Sequence, residues 1–405
     1  MTVREQIRHG TWTMEQRAQE VLRTVPVEVP GGTGALTAAL SYPRAAGVLD
    51  LGLLGPHGEF RGWSGGARDT FTVTEEWATP GYLPGPLEPG TWHVLLRLHR
   101  IPPQGLPWTV RARLGTRAPA APPATTPPPH PAADRRPRRG VPRLEGAEWL
   151  AGDLHAHTVH SDGSLTPDEL ARAAAAEGLD FLAVTDHNTV SHHPRLPAVA
   201  RRQGIRLLPG QEVTTDLGHA NVFGDTGWID FRRPAGEWLE QAETAGGVLS
   251  VNHPLADDCG WELPFAARRP RHAELWHHTW TDRRHSAPLA WARAWREEVV
   301  PLGGSDFHRP EQGRPLGAPT TWVLCPNGDV LAGLAAGRTA VSAGPGAAVL
   351  LRYGDELLAL DADGTVLVRP DGRRTVVCGD TVRLPAAEGL HRLETHTCEV
   401  VALCT

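Results

Sequence analysis

The sequence predicts an α/β protein built around a closed, TIM-like β/α barrel, with β-rich segments before and after it. Three observations predict this. Between residues 149 and 345, short apolar runs alternate with helical patches, the pattern of parallel β/α construction. Seven of those runs carry His, Asp or Glu at their ends, and closed barrels gather their reactive groups at the C-terminal ends of the strands. Outside this region the pattern changes to short alternating runs punctuated by Gly and Pro.

Taken in order, residues 1–25 read as one amphipathic helix or a frayed arm. From Val25 to about Leu114, the runs ALTAALSYP, VLDLGLLGP, DTFTVTEEW, TWHVLLRLHRI and WTVRARLG suggest a β-sandwich, so residues 1–116 form an N-terminal domain. The GWSGG stretch (Gly62–Gly66) follows no strand-to-helix pattern and is not a phosphate loop. Residues 117–146 are rich in Pro, Ala and Arg and have too little apolar bulk for a core, so they read as an extended linker. Residues 147–345 hold the candidate barrel strands WLAGDLHAH, DFLAVTDH, IRLLPGQEV, HANVFG, GVLSVNHP, AELWHHT and VVPLGGSDFH. The clearest helix is TPDELARAAAAEG. Thr166 caps it, Pro167 opens it, Glu169 closes a capping box and Gly178 stops it. SAPLAWARAWREE is a second helix. Residues 346–405 return to short strands, from AAVLLRYG to CEVVALC, and read as a small C-terminal β appendage.

Composition narrows the chemistry. A chain of 405 residues is too long for one ordinary core. A net charge of −6 leaves no basic surplus for general nucleic-acid binding. All 40 basic residues are Arg. Without Lys there is no Schiff-base chemistry and no carboxylated-Lys metal bridge, so a bridging protein ligand must be Asp or Glu. Five Cys without a CxxC pair read as reduced thiols, and no thiolate is expected near the metal motifs. The polar start and the lack of a long apolar run predict a soluble cytoplasmic protein without membrane contact.

The candidate ligands are His155, His157, Asp162, His187, Glu212, His219, His253, Asp306 and His308. A lone His is most often a satisfied core or surface residue. Nine ionisable groups at successive strand ends are not, because burying each without counter-charge costs several kcal/mol. Two or three divalent ions supply that charge, and imidazole with carboxylate suits Zn, Mn or Fe. His155 and His157 are two apart on an extended strand and point to the same side, as do Asp306 and His308. Glu212, with two oxygens, can bridge ions.

GDLHAHTVHSDG, VTDHN, GQE, NHP and GGSDFH together resemble the motifs of the PHP (polymerase and histidinol phosphatase) metallohydrolases over about residues 150–345. The order of the β-domain, GxEVT…GHxNVFG, GRTAVSAGP and a β-rich end resembles the carbaryl-hydrolase-type branch. The resemblance implies a distorted (β/α)7 barrel with two or three metals. It assigns His155, His157, Glu212 and Asp306 to a first ion, Glu212, His219 and His253 to a second, and Asp162, His187 and His308 to a third. His160 lies beside the site. After AELW, His277 and His278 stand where an Asn-like residue is expected in that branch.

The expected chemistry is hydrolysis by a hydroxide held between ions, attacking phosphorus or a carbonyl carbon. Asp306 aligns the water and takes its proton, and His187, His160 or a metal-held water protonates the leaving group. A phosphoric ester of a small molecule or nucleotide is the leading substrate, with Arg195, Arg309 and Arg314 as anion clamps. A carbamate, ester or amide is the alternative, with Trp228, Trp261, Trp276 and Trp280 lining an apolar pocket. A metal-holding module without turnover is a third reading. Nucleic acid enters only as a short 5′-phosphorylated substrate, and the sequence sets no oligomeric state.

Overall fold

The computed structural model describes residues 3–122, 126–129, 131, 135–257, 259–265 and 268–405. Positions 123–125, 130 and 132–134 of the expected linker lie outside the described residues. The chain divides into two compact units. One comprises Met1–Thr126, Val159–Asp162 and Asp186–Pro194; the other comprises Pro127–Thr158, Gly163–Thr185 and Arg195–Thr405.

The first unit carries β1 (Val3–Trp12), α1 (Met14–Gln19), β2 (Leu22–Val29), β3 (Ala35–Ser41), β4 (Val48–Leu54), β5 (Phe60–Gly65), β6 (Thr70–Thr74), β7 (Gly90–Arg100) and β8 (Leu106–Gly115). These strands form two four-stranded antiparallel sheets, ordered β1-β8-β3-β6 and β2-β7-β4-β5. Leu36, Phe71 and Val110 from one sheet and Leu51, Trp92 and Leu96 from the other share one buried cluster. The single helix or frayed arm expected over residues 1–25 is corrected. β1 is a strand because β8 offers it a full ladder, with Glu5 bonded to Arg111 and Arg113 at 2.8 and 2.9 Å. Local helix preference is a weak prior against such pairing. Only the six residues after Thr13 coil, behind a Thr13–Gln16 capping box.

The second unit opens with β9 (Ala147–Asp153), α2 (Pro167–Ala176), β10 (Phe181–Val184), α3 (Leu196–Gln203), β11 (Arg206–Thr215), β12 (Gly218–Phe223), α4 (Ala235–Thr244), β13 (Val248–Val251), β14 (His272–Trp276), α5 (Ser286–Trp295) and β15 (Val300–Gly303). The seven strands stand side by side in sequence order. Expected to be uniformly parallel, they include one reversal: β12 runs antiparallel to both β11 and β13. Phe307, just past β15, makes a parallel bridge with Ala156, just past β9, so the two ends of the row meet there. β10 shows why these runs read as continuously apolar. Phe181 and Ala183 face one buried cluster, Leu182 and Val184 another, so both faces of the strand are covered. α2 has the expected Thr166–Glu169 capping box and ends before Gly178, at φ +79°.

β16 (Thr320–Pro326), α6 (Val330–Ala335) and β17 (Thr339–Ser342) follow. Then come β18 (Val349–Tyr353), β19 (Glu356–Leu360), β20 (Val366–Val368), β21 (Arg374–Val376), β22 (Thr381–Pro385), β23 (His391–Glu394) and β24 (Val400–Cys404). These strands are not set apart as an appendage. β16 pairs with β9, β17 with β16, and β24 with β17, so one sheet runs on into β23, β20 and β21. Trp149 and Trp322 share a buried cluster with Leu350, Leu358 and Leu393. Among the described residues, no helix is long and apolar enough to cross a membrane.

Candidate metal centre

The second unit's candidate ligands come from one end of its strands. His155 and His157 follow β9, Glu212 lies on β11, His253 follows β13, and Asp306 and His308 follow β15. His219 sits at the start of β12. Because β12 is reversed, its start lies at the same end as its neighbours' finishes.

Four of these residues converge, each imidazole facing both carboxylates. His155 Nε2 lies 3.3 Å from both Glu212 Oε2 and Asp306 Oδ1. His157 Nε2 lies 3.5 and 3.0 Å from the same two oxygens. An ion about 2.0–2.1 Å from each of its ligands in tetrahedral array sets neighbouring donor atoms roughly 3.3 Å apart. These four nitrogen–oxygen distances lie near that spacing. The donor atoms of His155, His157 and Asp306 all fall within 4.8 Å of one another, as do those of His155, Glu212 and His253, so these groups can each hold a divalent ion. The other carboxylate oxygen, Glu212 Oε1, lies 3.2 Å from His219 Nδ1 and 3.4 Å from His253 Nε2. Glu212 is therefore shaped to join two positions. His308 stacks on His157 with ring centroids 4.2 Å apart.

Electrostatics agree with the geometry. Burial opposes charge on His155, yet Glu212, Glu274 and Asp306 outweigh it and hold the imidazole well above its usual value. Burial likewise pushes Asp306 up, but His155, His157 and His277 hold its carboxyl well below the usual range. Here the acids and imidazoles share protons among themselves; a divalent ion takes over that role when bound. His155 Nε2 makes no hydrogen bond of its own although fully buried.

Around the ligands stand residues that the sequence reading passed over. Glu274, inside β14, accepts from His155 Nδ1 at 2.8 Å and from the His253 backbone N–H at 2.9 Å. Asn252 Nδ2 donates to Glu212 Oε1 at 2.8 Å. Asp153 accepts from the backbone N–H groups of His155, Ser305 and Gly317 at 2.7–3.1 Å. The available signal was position: a carboxylate inside the apolar run AELW, Asp153 two residues before His155 and Asn252 directly before His253. Cys259 is a further correction. Its thiol lies 3.5 Å from His253 Nδ1, so sulfur does stand beside the ligands. His253 and Asp306 have φ of +22° and +50°. Such backbone costs about 1–3 kcal/mol and persists only where the surroundings enforce it.

The other expected site residues divide as follows. Asp162 and His187 belong to the first unit, with Oδ1 and Nε2 3.6 Å apart. His160 is buried in that unit, its Nδ1 2.7 Å from Ser191 Oγ. Arg68 donates to the carbonyls of Val159 and Ser161 beside it. In the second unit, Arg314 is half-buried and feels the Asp306 charge, whereas Arg195 and Arg309 are exposed. Trp276 packs edge-on to His285 at 4.5 Å, and Trp261 stacks on Phe265. Trp228 lies against Phe231 and Arg232. The Trp280 ring lies 6.4 Å from that of His277.

Residues 153–263 match the model of the PHP domain. A 5′-3′ exoribonuclease of Haemophilus influenzae is 41% identical over 64 residues, 16% of this chain and 23% of the relative. A 3′,5′-nucleoside bisphosphate phosphatase of Chromobacterium violaceum is 43% identical over 70 residues, 17% of this chain and 25% of the relative. The chain thus spans about a quarter of the length of these curated relatives. Among solved structures, a two-domain protein from Bacteroides vulgatus containing a predicted PHP-like metal-dependent phosphoesterase aligns with a TM-score of 0.40 and 18% identity. That alignment covers 67% of this chain and 90% of the other. An amidohydrolase from Chromobacterium violaceum aligns with a TM-score of 0.32 and 20% identity, covering 41% and 89%.

Proposed function

We infer that this chain is a metal-dependent hydrolase of phosphoric esters, acting on a small molecule or nucleotide, with its metal centre in a distorted β/α barrel spanning about residues 147–345. The observation that carries the reading is the buried four-donor set of His155, His157, Glu212 and Asp306, together with the second donor pair on the far oxygen of Glu212. The match to the PHP domain and the phosphoesterase names of two relatives support the phosphoric over the carbamic ester.

His155, His157, Glu212 and Asp306 would hold one ion, and Glu212, His219 and His253 a second. Bound divalent ions supply a water that ionises near neutral pH and a Lewis acid for the ester oxygen. The protein's own groups do the rest. Glu274 and Asn252 fix the rotamers of His155 and Glu212. Arg314 is the second unit's best-placed cation for the substrate's negative charge. His187 is the proposed proton donor to the leaving oxygen.

Turnover of p-nitrophenyl phosphate, a dinucleotide, an aryl carbamate and an aryl acetate, each with added Zn²⁺ or Mn²⁺, tests the reading. Phosphoric ester cleavage that Glu212→Gln abolishes is expected. Carbamate or acetate cleavage without phosphoric ester cleavage would overturn it.

A further inference from the structure

We propose that His277 is a metal ligand in its own right, joining His253 on the second ion's position with Asp306 Oδ2 beside it, an addition that tilts this centre toward nitrogen-preferring ions such as Zn²⁺ or Co²⁺. This rests on the hydrolase reading above and adds the metal preference of that site.

His277 immediately follows β14 and is 3% exposed. Its Nδ1 lies 2.9 Å from Thr279 Oγ1 and accepts from the Thr279 backbone N–H at 3.3 Å, contacts that hold the ring; an ion on Nε2 would shift the ring proton to Nδ1, where Thr279 Oγ1 can accept it. Nε2 is buried, makes no hydrogen bond, and lies 3.5 Å from Asp306 Oδ2. That oxygen is not the one that serves His155 and His157, which is Oδ1. Asp306 thus shows one oxygen to the first position and the other to His277, as Glu212 divides its oxygens between His155 and His157 on one side and His219 and His253 on the other. The ring of His277 lies 4.8 Å from that of His253. Donor atoms of His253, His277 and Asp306 all fall within 4.8 Å of one another, close enough for one ion.

The alternative is that His277 is merely a packed polar residue. A packed imidazole in so dry a place would spend both nitrogens on protein partners, since an orphaned buried polar group costs about 1–3 kcal/mol. His277 spends one and aims the other at a carboxylate that already faces two further imidazoles. A further imidazole raises the nitrogen share of the site, which favours Zn²⁺ and Co²⁺ over Mn²⁺.

The test uses the full chain. Wild type, His277→Asn and His277→Gln are stripped and titrated separately with Zn²⁺ and Mn²⁺ by calorimetry, and the Co²⁺-loaded visible spectra are recorded, with circular dichroism as a folding control. Expected is a loss of Zn²⁺ affinity on the order of 10–100-fold in both variants, with Mn²⁺ affinity changed much less, and a weaker Co²⁺ absorption band. Should the variants not fold, anomalous diffraction from Zn²⁺-loaded wild-type crystals decides: an ion about 2.0–2.1 Å from His277 Nε2 supports the proposal. An ion bound elsewhere with Nε2 unligated overturns it while leaving the hydrolase reading standing, as do unchanged affinities and spectra in folded variants. A wild type that takes up no divalent ion at all overturns both.

Discussion

Glu274 serves two ligands at once. It fixes the His155 imidazole through Nδ1 and the His253 loop through a backbone N–H. Such supporting contacts set ligand orientation and basicity, so Glu274→Gln, nearly identical in shape, should weaken metal binding about 10–100-fold. Titration of stripped protein with Zn²⁺ measures this, and unchanged affinity would show that the carboxylate is incidental. Gly304 shows a second constraint at this scale. A Cβ there would sit 2.3 Å from His155 Cβ and 2.9 Å from Glu274 Oε1. Gly304→Ala should therefore cost about 1–3 kcal/mol by overpacking and displace the first ligand. Denaturant unfolding reads the first effect and metal content the second. The candidate ligands of the second unit stood out in the sequence because most of them stand where an apolar run ends. Glu274 was not, because a Glu between Ala and Leu inside a strand looks like any residue of that strand until its partners are seen.

At the scale of elements, β14 begins on a histidine with its own pH signature. His272 is buried, its Nε2 2.8 Å from the Leu334 carbonyl, and burial pushes its pKa down to about 4. The unfolded chain takes up this proton near pH 6.5 and the folded chain only near pH 4, so the unfolded state binds more protons between those values. The neutral ring's contribution is complete above pH 6.5 and is lost as the pH falls toward 4, about 3 kcal/mol in all. His272→Gln keeps a donor for Leu334 and removes the titration. Urea midpoints of the variant should fall less steeply than those of wild type over this window, and parallel curves would contradict the assignment. All seven strands of the central row were readable as apolar runs. The reversal of β12 was also written there and overlooked. Thr215 pairs with Gly218 across only Asp216 and Leu217. Two residues suffice for a hairpin, but a parallel crossover needs a dozen or more.

At the scale of the whole molecule, the proposed metal centre predicts a link between stability and metal. An ion that binds only the folded chain stabilises it by about 2.7 kcal/mol at a hundred times its Kd. A few degrees of Tm per kcal/mol then translates into a rise of roughly 5–10 °C on adding metal to stripped protein. Differential scanning calorimetry with and without chelator checks this, and a Tm indifferent to chelator would count against buried metal. The C-terminal strands were legible one by one, yet their attachment was not. Nothing in a short alternating run says which edge it will join, because register and partner are decided by contacts far along the chain.

The continuous ladder from β9 through β16 and β17 to β24 has a practical consequence for anyone trimming this protein. A stop codon after Pro345 would leave β17 without its outer neighbour and lay Trp149 and Trp322 open to water, the kind of naked margin that recruits a second molecule. Such a shortened chain should elute as aggregates in gel filtration. What looks in the sequence like a dispensable tail is the hem that keeps the central sheet from fraying.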